Sequence, residues 1–215
     1  MHIVIIGYGP GISSAAARLF GSRGFKISFV GRSKEKLEAE AQKLHDQSIE
    51  ANYAMGDVSE EQSLNAALDL LTKQSLPDVI LYNPSASVYK SVEEDTWPSI
   101  QQQLSVNVGG AIHVLRRFLP LYKKANQGKI FFTGGGLSLH PSPAMAGLSL
   151  GKAALRNLVL GTAAGLKDTN VHVATVTVTG MVDPADAKYN PDAIVQNFWT
   201  LYEQKQGSFN AEIVY

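Results

Sequence analysis

The chain has 215 residues, 45% of them hydrophobic, with 19 Lys and Arg balanced by 19 Asp and Glu and with no cysteine. That length allows one well-buried α/β domain, and a formal net charge of zero leaves no electrostatic footprint for nucleic acid or an anionic membrane. Disulfides, thiolate nucleophiles and thiolate metal sites are excluded, no apolar run is long enough to span a membrane or to act as a signal peptide, and a cytoplasmic protein without a metal is expected.

Short apolar runs alternate with longer segments of helical period, the pattern of parallel strands joined by crossover helices. Strands are expected near 2–6, 26–30, 50–55, 78–82, 128–133, 171–178 and 211–214, and helices near 11–23, 33–47, 60–74, 94–123, 144–167 and 191–204. Right-handed crossovers then give one domain over 1–215, a doubly wound sheet with helices on both faces and a ligand at the carboxyl ends of its strands. The first strand runs into Gly7, Gly9 and Gly11, followed at once by a helix from Ile12. Glycines in that place let backbone N–H groups and a helix dipole approach a pyrophosphate, and they also serve any tight turn.

The second strand ends in Gly31, Arg32 and Ser33. An acidic residue there would bond a ribose 2′-hydroxyl, whereas the planar cation of Arg32 suits a 2′-phosphate, so NADP(H) is favoured over NAD(H). The alternative is a solvated Arg32 with Ser33 capping the next helix. At the third strand end Asp57 and Val58 precede Ser59, a candidate cap; Asp57 would accept from an adenine amino group or hold the turn. Asn83, Pro84 and Ser85 follow the fourth strand, either along a cofactor ribose or as turn residues. After the fifth, Ser138 and His140 lie where a substrate would approach, and His140 is a candidate general acid or base or a loop histidine in solvent. Tyr89 and His113 are weaker candidates of the same kind.

Taken together, these residues resemble the short-chain dehydrogenase/reductase family along nearly the whole chain. Gly7 and Gly11 match its glycine loop, with Ser13 in place of the last glycine; Asp57-Val58 and Asn83 match two cofactor segments; Asn107 in SVNVGGA and Lys152 in GKAAL match two active-site positions. The resemblance implies a Rossmann-type, seven-stranded parallel sheet that binds a nicotinamide cofactor. It also implies that Asn107 anchors a water and kinks its helix, and that Lys152 holds the nicotinamide ribose. Thr179, Gly180 and Val182 would face the carboxamide, and 184–205 would cover the substrate, although Phe198, Trp199 and Tyr202 have a spacing that is more often core than site. A homodimer or homotetramer is implied through the helices near 94–123 and 144–167, with Ala153, Ala154, Leu155, Leu158 and Val159 either as subunit surface or packed only on the sheet.

One part of the family pattern is missing. Its tyrosine falls four residues before Lys152, at Leu148, and its serine thirteen residues before that, at Gly135. Leucine has no ionisable group and cannot move a proton. The leading expectation is an NADP(H)-dependent oxidoreductase with an altered site, acting on a small carbonyl or alcohol or an activated C=C bond, with water or His140 supplying the proton. The alternative is a non-catalytic NADP(H)-binding sensor or scaffold.

Overall fold

The computed structural model describes residues 1–215. Its elements alternate: β1 (His2–Ile6), α1 (Ile12–Ser22), β2 (Lys26–Gly31), α2 (Lys34–Asp46), β3 (Ala51–Met55), α3 (Glu61–Thr72), β4 (Val79–Tyr82), α4 (Trp97–Leu104), α5 (Gly110–Ala125), β5 (Gly128–Gly135), α6 (Ala146–Ala164), β6 (Val171–Val178), α7 (Pro191–Glu203) and β7 (Glu212–Val214). All seven strands are parallel, in the order β3-β2-β1-β4-β5-β6-β7. The chain winds outward from β1 to β3, then returns to place β4 on the other side of β1. The turns leaving β1 and β4 therefore diverge, which opens a crevice at the carboxyl ends of the strands.

Strand alternation divides the core into two. Ile3 and Ile5 point to a layer filled by Ala15, Ala16 and Phe20 of α1, Leu37 and Leu44 of α2, and Ile194 and Phe198 of α7. Val4 and Ile6 point to the other layer, with Leu64 and Leu68 of α3, Val114 and Phe118 of α5, and Leu155 and Val159 of α6. Both faces of the sheet are covered, so strands such as VILY and VHVATVTV are buried throughout, as parallel sheets require. Truncating one of these large side chains to alanine costs about 2–5 kcal/mol.

The helix expected near 94–123 runs without a break over 97–125, with a π-helical turn, Ser105–Gly109, between α4 and α5 where a kink is implied. The turn is held open because the buried Asn107 side chain bonds the backbone of Ala86, accepting from its N–H at 3.0 Å and donating to its carbonyl at 2.8 Å. Two other expectations need correction. Phe198, Trp199 and Tyr202 do not cover the crevice. Phe198 is fully buried, and Trp199 and Tyr202 pack on Phe20 and Phe25 at the amino ends of the strands, opposite the crevice. Leu155 and Val159 likewise belong to the core beneath α6 and offer no surface to a second subunit.

Candidate functional site

The crevice consists of two clefts that meet at Asn83 and Ser85, which line both. The first, of about 590 Å³, lies over β1, β2 and β3 and includes Gly7, Tyr8, Arg32, Asp57, Val58 and Pro84. The second, of about 580 Å³, lies over β5 and β6 and includes Gly11, Ile12, Lys152, Thr179, Gly180 and Val182. The glycine turn thus runs from one cleft to the other.

Gly7 and Gly11 adopt φ values of 79° and 94°, a region that side chains other than glycine rarely enter. A Cβ on Gly7 would also fall 2.5 Å from Pro84 Cγ, so this glycine lets the β1 and β4 turns touch. Gly9 has neither demand and lines neither cleft. Ser13, fully buried, braces the same place: its Oγ donates to the Gly7 carbonyl at 3.0 Å and accepts from Asn83 Nδ2 at 2.7 Å. That brace joins residues 70 apart in sequence, and no local signal announces it.

In the first cleft Arg32 is exposed. Ser33 lies outside the cleft, its hydroxyl accepting from Lys36 N as the cap of α2. Asp57, the only acidic residue in this lining, accepts from the backbone N–H and the hydroxyl of Ser59 at 2.9 and 2.7 Å. Those bonds, more than the Arg32 charge, hold its carboxyl below the ordinary range. Ser59 is therefore a partner of Asp57 and not the cap of α3, whose N-cap residue is Glu60. Tyr8 was not foreseen: its ring stacks on Phe29 at 4.1 Å, its hydroxyl is buried without a partner, and burial raises its pKa. Gln102 and Gln103 of α4 also reach this cleft, which folding of the β4–α4 loop alone could reveal.

The second cleft contains no acidic side chain; its titratable residues are Tyr89, His140 and Lys152. Tyr89 and His140 are exposed. Lys152 is only 8% exposed, and its Nζ donates to the Thr133 carbonyl at 3.0 Å. Burial without a counter-ion lowers its pKa to about 8. The helix that carries Lys152 comes close because Gly147 and Gly151 face Gln103 and Asn107, where a Cβ would fall 2.5 and 2.9 Å from side-chain atoms. Asn107 itself is fully buried and lines neither cleft, so the structure does not present it to a ligand. Leu148 lines the cleft one turn before Lys152. Ser149 turns away to bond Ser142, and His113 faces Glu61 at 3.5 Å on the α3–α5 surface.

Three consecutive glycines form the floor, and they differ. A Cβ at Gly134 would meet Thr175 Oγ1 at 2.7 Å, and one at Gly136 would meet Thr179 Cα at 2.9 Å. At Gly135, which is extended with φ −162°, it would make ordinary contact with the Lys152 methylenes at 3.4 Å. Steric need explains the outer two glycines and leaves the middle one free to carry a side chain.

A dinucleotide suits these surfaces. The first turn of α1 has no acidic residue and no side-chain cap at Gly11, so its N–H groups are free to receive a phosphate. Thr133 Oγ1, at the strand end beside Lys152, is buried and has no partner. Fold and clefts together define a doubly wound α/β protein with a nucleotide-type site. A sequence model described as short chain dehydrogenase matches residues 1–193, and the chain belongs to that family of oxidoreductases, whose members bind nicotinamide cofactors. An uncharacterized oxidoreductase of Listeria innocua is 29% identical over 182 residues, covering 81% of this chain and 71% of the relative. One of Thermotoga maritima is 24% identical over 218 residues, covering 99% and 86%. A metagenomic short-chain oxidoreductase in complex with NADP has the same fold, with a TM-score of 0.90 at 24% identity over 100% of this chain and 96% of that one.

Proposed function

We propose that this chain is an NADP(H)-dependent oxidoreductase with an altered catalytic site, moving hydride to or from a small carbonyl or alcohol or an activated C=C bond. The observation that carries this reading is the continuous crevice from Arg32, past Gly7, Asn83 and Gly11, to Lys152. Arg32 would take a 2′-phosphate, Asp57 and Val58 the adenine edge, the α1 N-terminus the pyrophosphate, and Lys152 the nicotinamide ribose. Thr179, Gly180 and Val182 would pack along the nicotinamide, which when bound supplies or accepts the hydride. The substrate end is walled by Leu137, Met145, Leu148 and Met181, which favours an apolar body. Leu148 and Gly135 stand where the family pattern has a tyrosine and a serine, so an acceptor needing little acid assistance is favoured. Homodimer or homotetramer assembly in the cytoplasm belongs to the same proposal, with a mass measurement by light scattering as its check.

The decisive experiment is a fluorescence titration with NADPH and NADH, on this protein and on Arg32→Ala. NADPH should bind more tightly, and the variant should lose roughly 10–100-fold toward NADPH alone, the worth of a charged hydrogen bond of about 1.5–3 kcal/mol. No binding of either nucleotide would end this reading. The second reading, a nucleotide-occupied sensor without turnover, rests on Leu148 and Gly135. It would prevail if nucleotide binds and carbonyl, enone and quinone substrates all fail to react.

A further inference from the structure

We infer that Lys152 is itself the proton donor of this site, delivering a proton from Nζ to the substrate oxygen as hydride reaches the carbon. The inference rests on the oxidoreductase reading above and adds to it the source of the proton.

The Lys152 side chain rises from the buried face of α6 and passes Gly135, whose missing side chain leaves the lysine methylenes in contact range of any added Cβ. Nζ makes one hydrogen bond to protein, to the Thr133 carbonyl, leaving two N–H donors. Leu148, one turn earlier, places a hydrocarbon against the cleft and cannot receive or relay a proton. From β5 the residues lining the cleft with Lys152 are Thr133 to Gly135 and from the segment after β6 Thr179 to Val182, none of them titratable. The β4–α4 loop supplies only Tyr89 and the turn after β5 only His140, both exposed.

A buried cation with free donors and no carboxylate favours negative charge forming nearby. Desolvation also draws the lysine down to about pKa 8, near neutrality, where a group both holds and releases a proton effectively. In the reducing direction the hydride of a reduced nicotinamide nucleotide forms the new C–H bond, and the C–O π pair moves to oxygen. One Nζ–H bond then breaks as the O–H bond forms. The neutral amine regains its proton from water, so the acceptor gains two electrons and two hydrogens and the nucleotide is oxidised.

The first measurement needs no nucleotide. In protein carrying ¹³C-labelled lysine, the Lys152 Cε signal, assigned with Lys152→Arg, should titrate near pH 8; an ordinary value above 10 would overturn the inference. With NADPH, and 1,4-naphthoquinone and cinnamaldehyde as probes, kcat should fall as the pH rises through that same value. Lys152→Arg, which keeps the charge but holds its protons, should lower kcat at saturating NADPH by about 10²–10⁴-fold. Ethylamine should partly restore Lys152→Ala in proportion to its protonated fraction. A lysine that merely holds the ribose would leave kcat at saturating NADPH little changed in both variants, leave kcat flat with pH and show no amine rescue. Nucleotide binding without turnover of either probe would refute the donor role and leave the nucleotide site standing; absence of nucleotide binding would remove both.

Discussion

The two clefts share Asn83 and Ser85 but are held together in different ways. The first is a backbone construction, in which Gly7 touches Pro84 and neutral bonds from Ser13 tie the β1 turn to Asn83. The second is a side-chain construction, in which a buried ammonium faces leucines, methionines and three glycines. A nucleotide is recognised along its repeating phosphates and sugars, a task that backbone N–H groups perform with little dependence on side chains. Proton transfer depends on one atom of one residue, so two substitutions can change the chemistry and leave the cradle whole.

The sharpest way to break this contrast is to change the second cleft without touching the first. Gly135→Ser combined with Leu148→Tyr should raise reduction of simple aldehydes by about 10²–10⁴-fold, the usual contribution of a positioned acid. The Gly135 position admits a Cβ at ordinary contact distance, so the variant should also melt close to the parent. NADPH consumption with the two proteins side by side checks it, and equal rates would mean that something other than these two positions limits turnover.

The reverse experiment attacks the first cleft. Gly7→Ala combines a left-handed backbone with a Cβ 2.5 Å from Pro84 and should cost about 2–5 kcal/mol of stability together with nucleotide binding. Gly9→Ala, with open space around it, should change stability by about 0.5 kcal/mol or less. Thermal melts of the pair measure the difference, and similar losses in both would refute the steric account of the turn.

A smaller loss than that of Gly7→Ala is expected behind the second cleft. Arg156, one turn beyond Lys152, holds Glu212 of β7 through two bonds of 2.8 and 2.7 Å, and Thr177 donates to the same carboxylate at 2.6 Å. The Arg156 bonds, followed by the Thr177 bond, keep the Glu212 carboxyl below its ordinary pKa of 4.5. Its stabilisation is therefore complete above that value and is lost as the pH falls through the lowered one. Glu212→Gln should cost about 1 kcal/mol at neutral pH, since the pair is partly exposed, and nothing in strong acid. Melting temperatures between pH 7 and pH 2 should converge for the two proteins; parallel curves would deny the pair its role.

How much of this was legible depends on distance along the chain. Gly7 and Gly11 were readable because a positive φ is a local demand, yet Gly9, alike in sequence, serves no such purpose. Asn107 was singled out, but its task, holding Ala86, depends on a loop 21 residues away and removes it from the cleft. Phe198, Trp199 and Tyr202 were expected over the substrate because an apolar helical stripe looks the same whether it covers a ligand or a core. Phe20 and Phe25 decide the matter at the other end of the sheet.

The amino-acid order alone determined the alternation of strands and helices, the glycine turn, and the identity of the cation at position 32. These follow from side-chain period, backbone freedom and residue identity, all of which act within a few residues. Only the tertiary structure decided that Ser33 caps and Arg32 faces the cleft, that Ser13 braces Asn83, and that Gly135 has room for a side chain beside Lys152. The direction and surroundings of a side chain are set by which elements pack together, and that packing joins residues far apart in sequence.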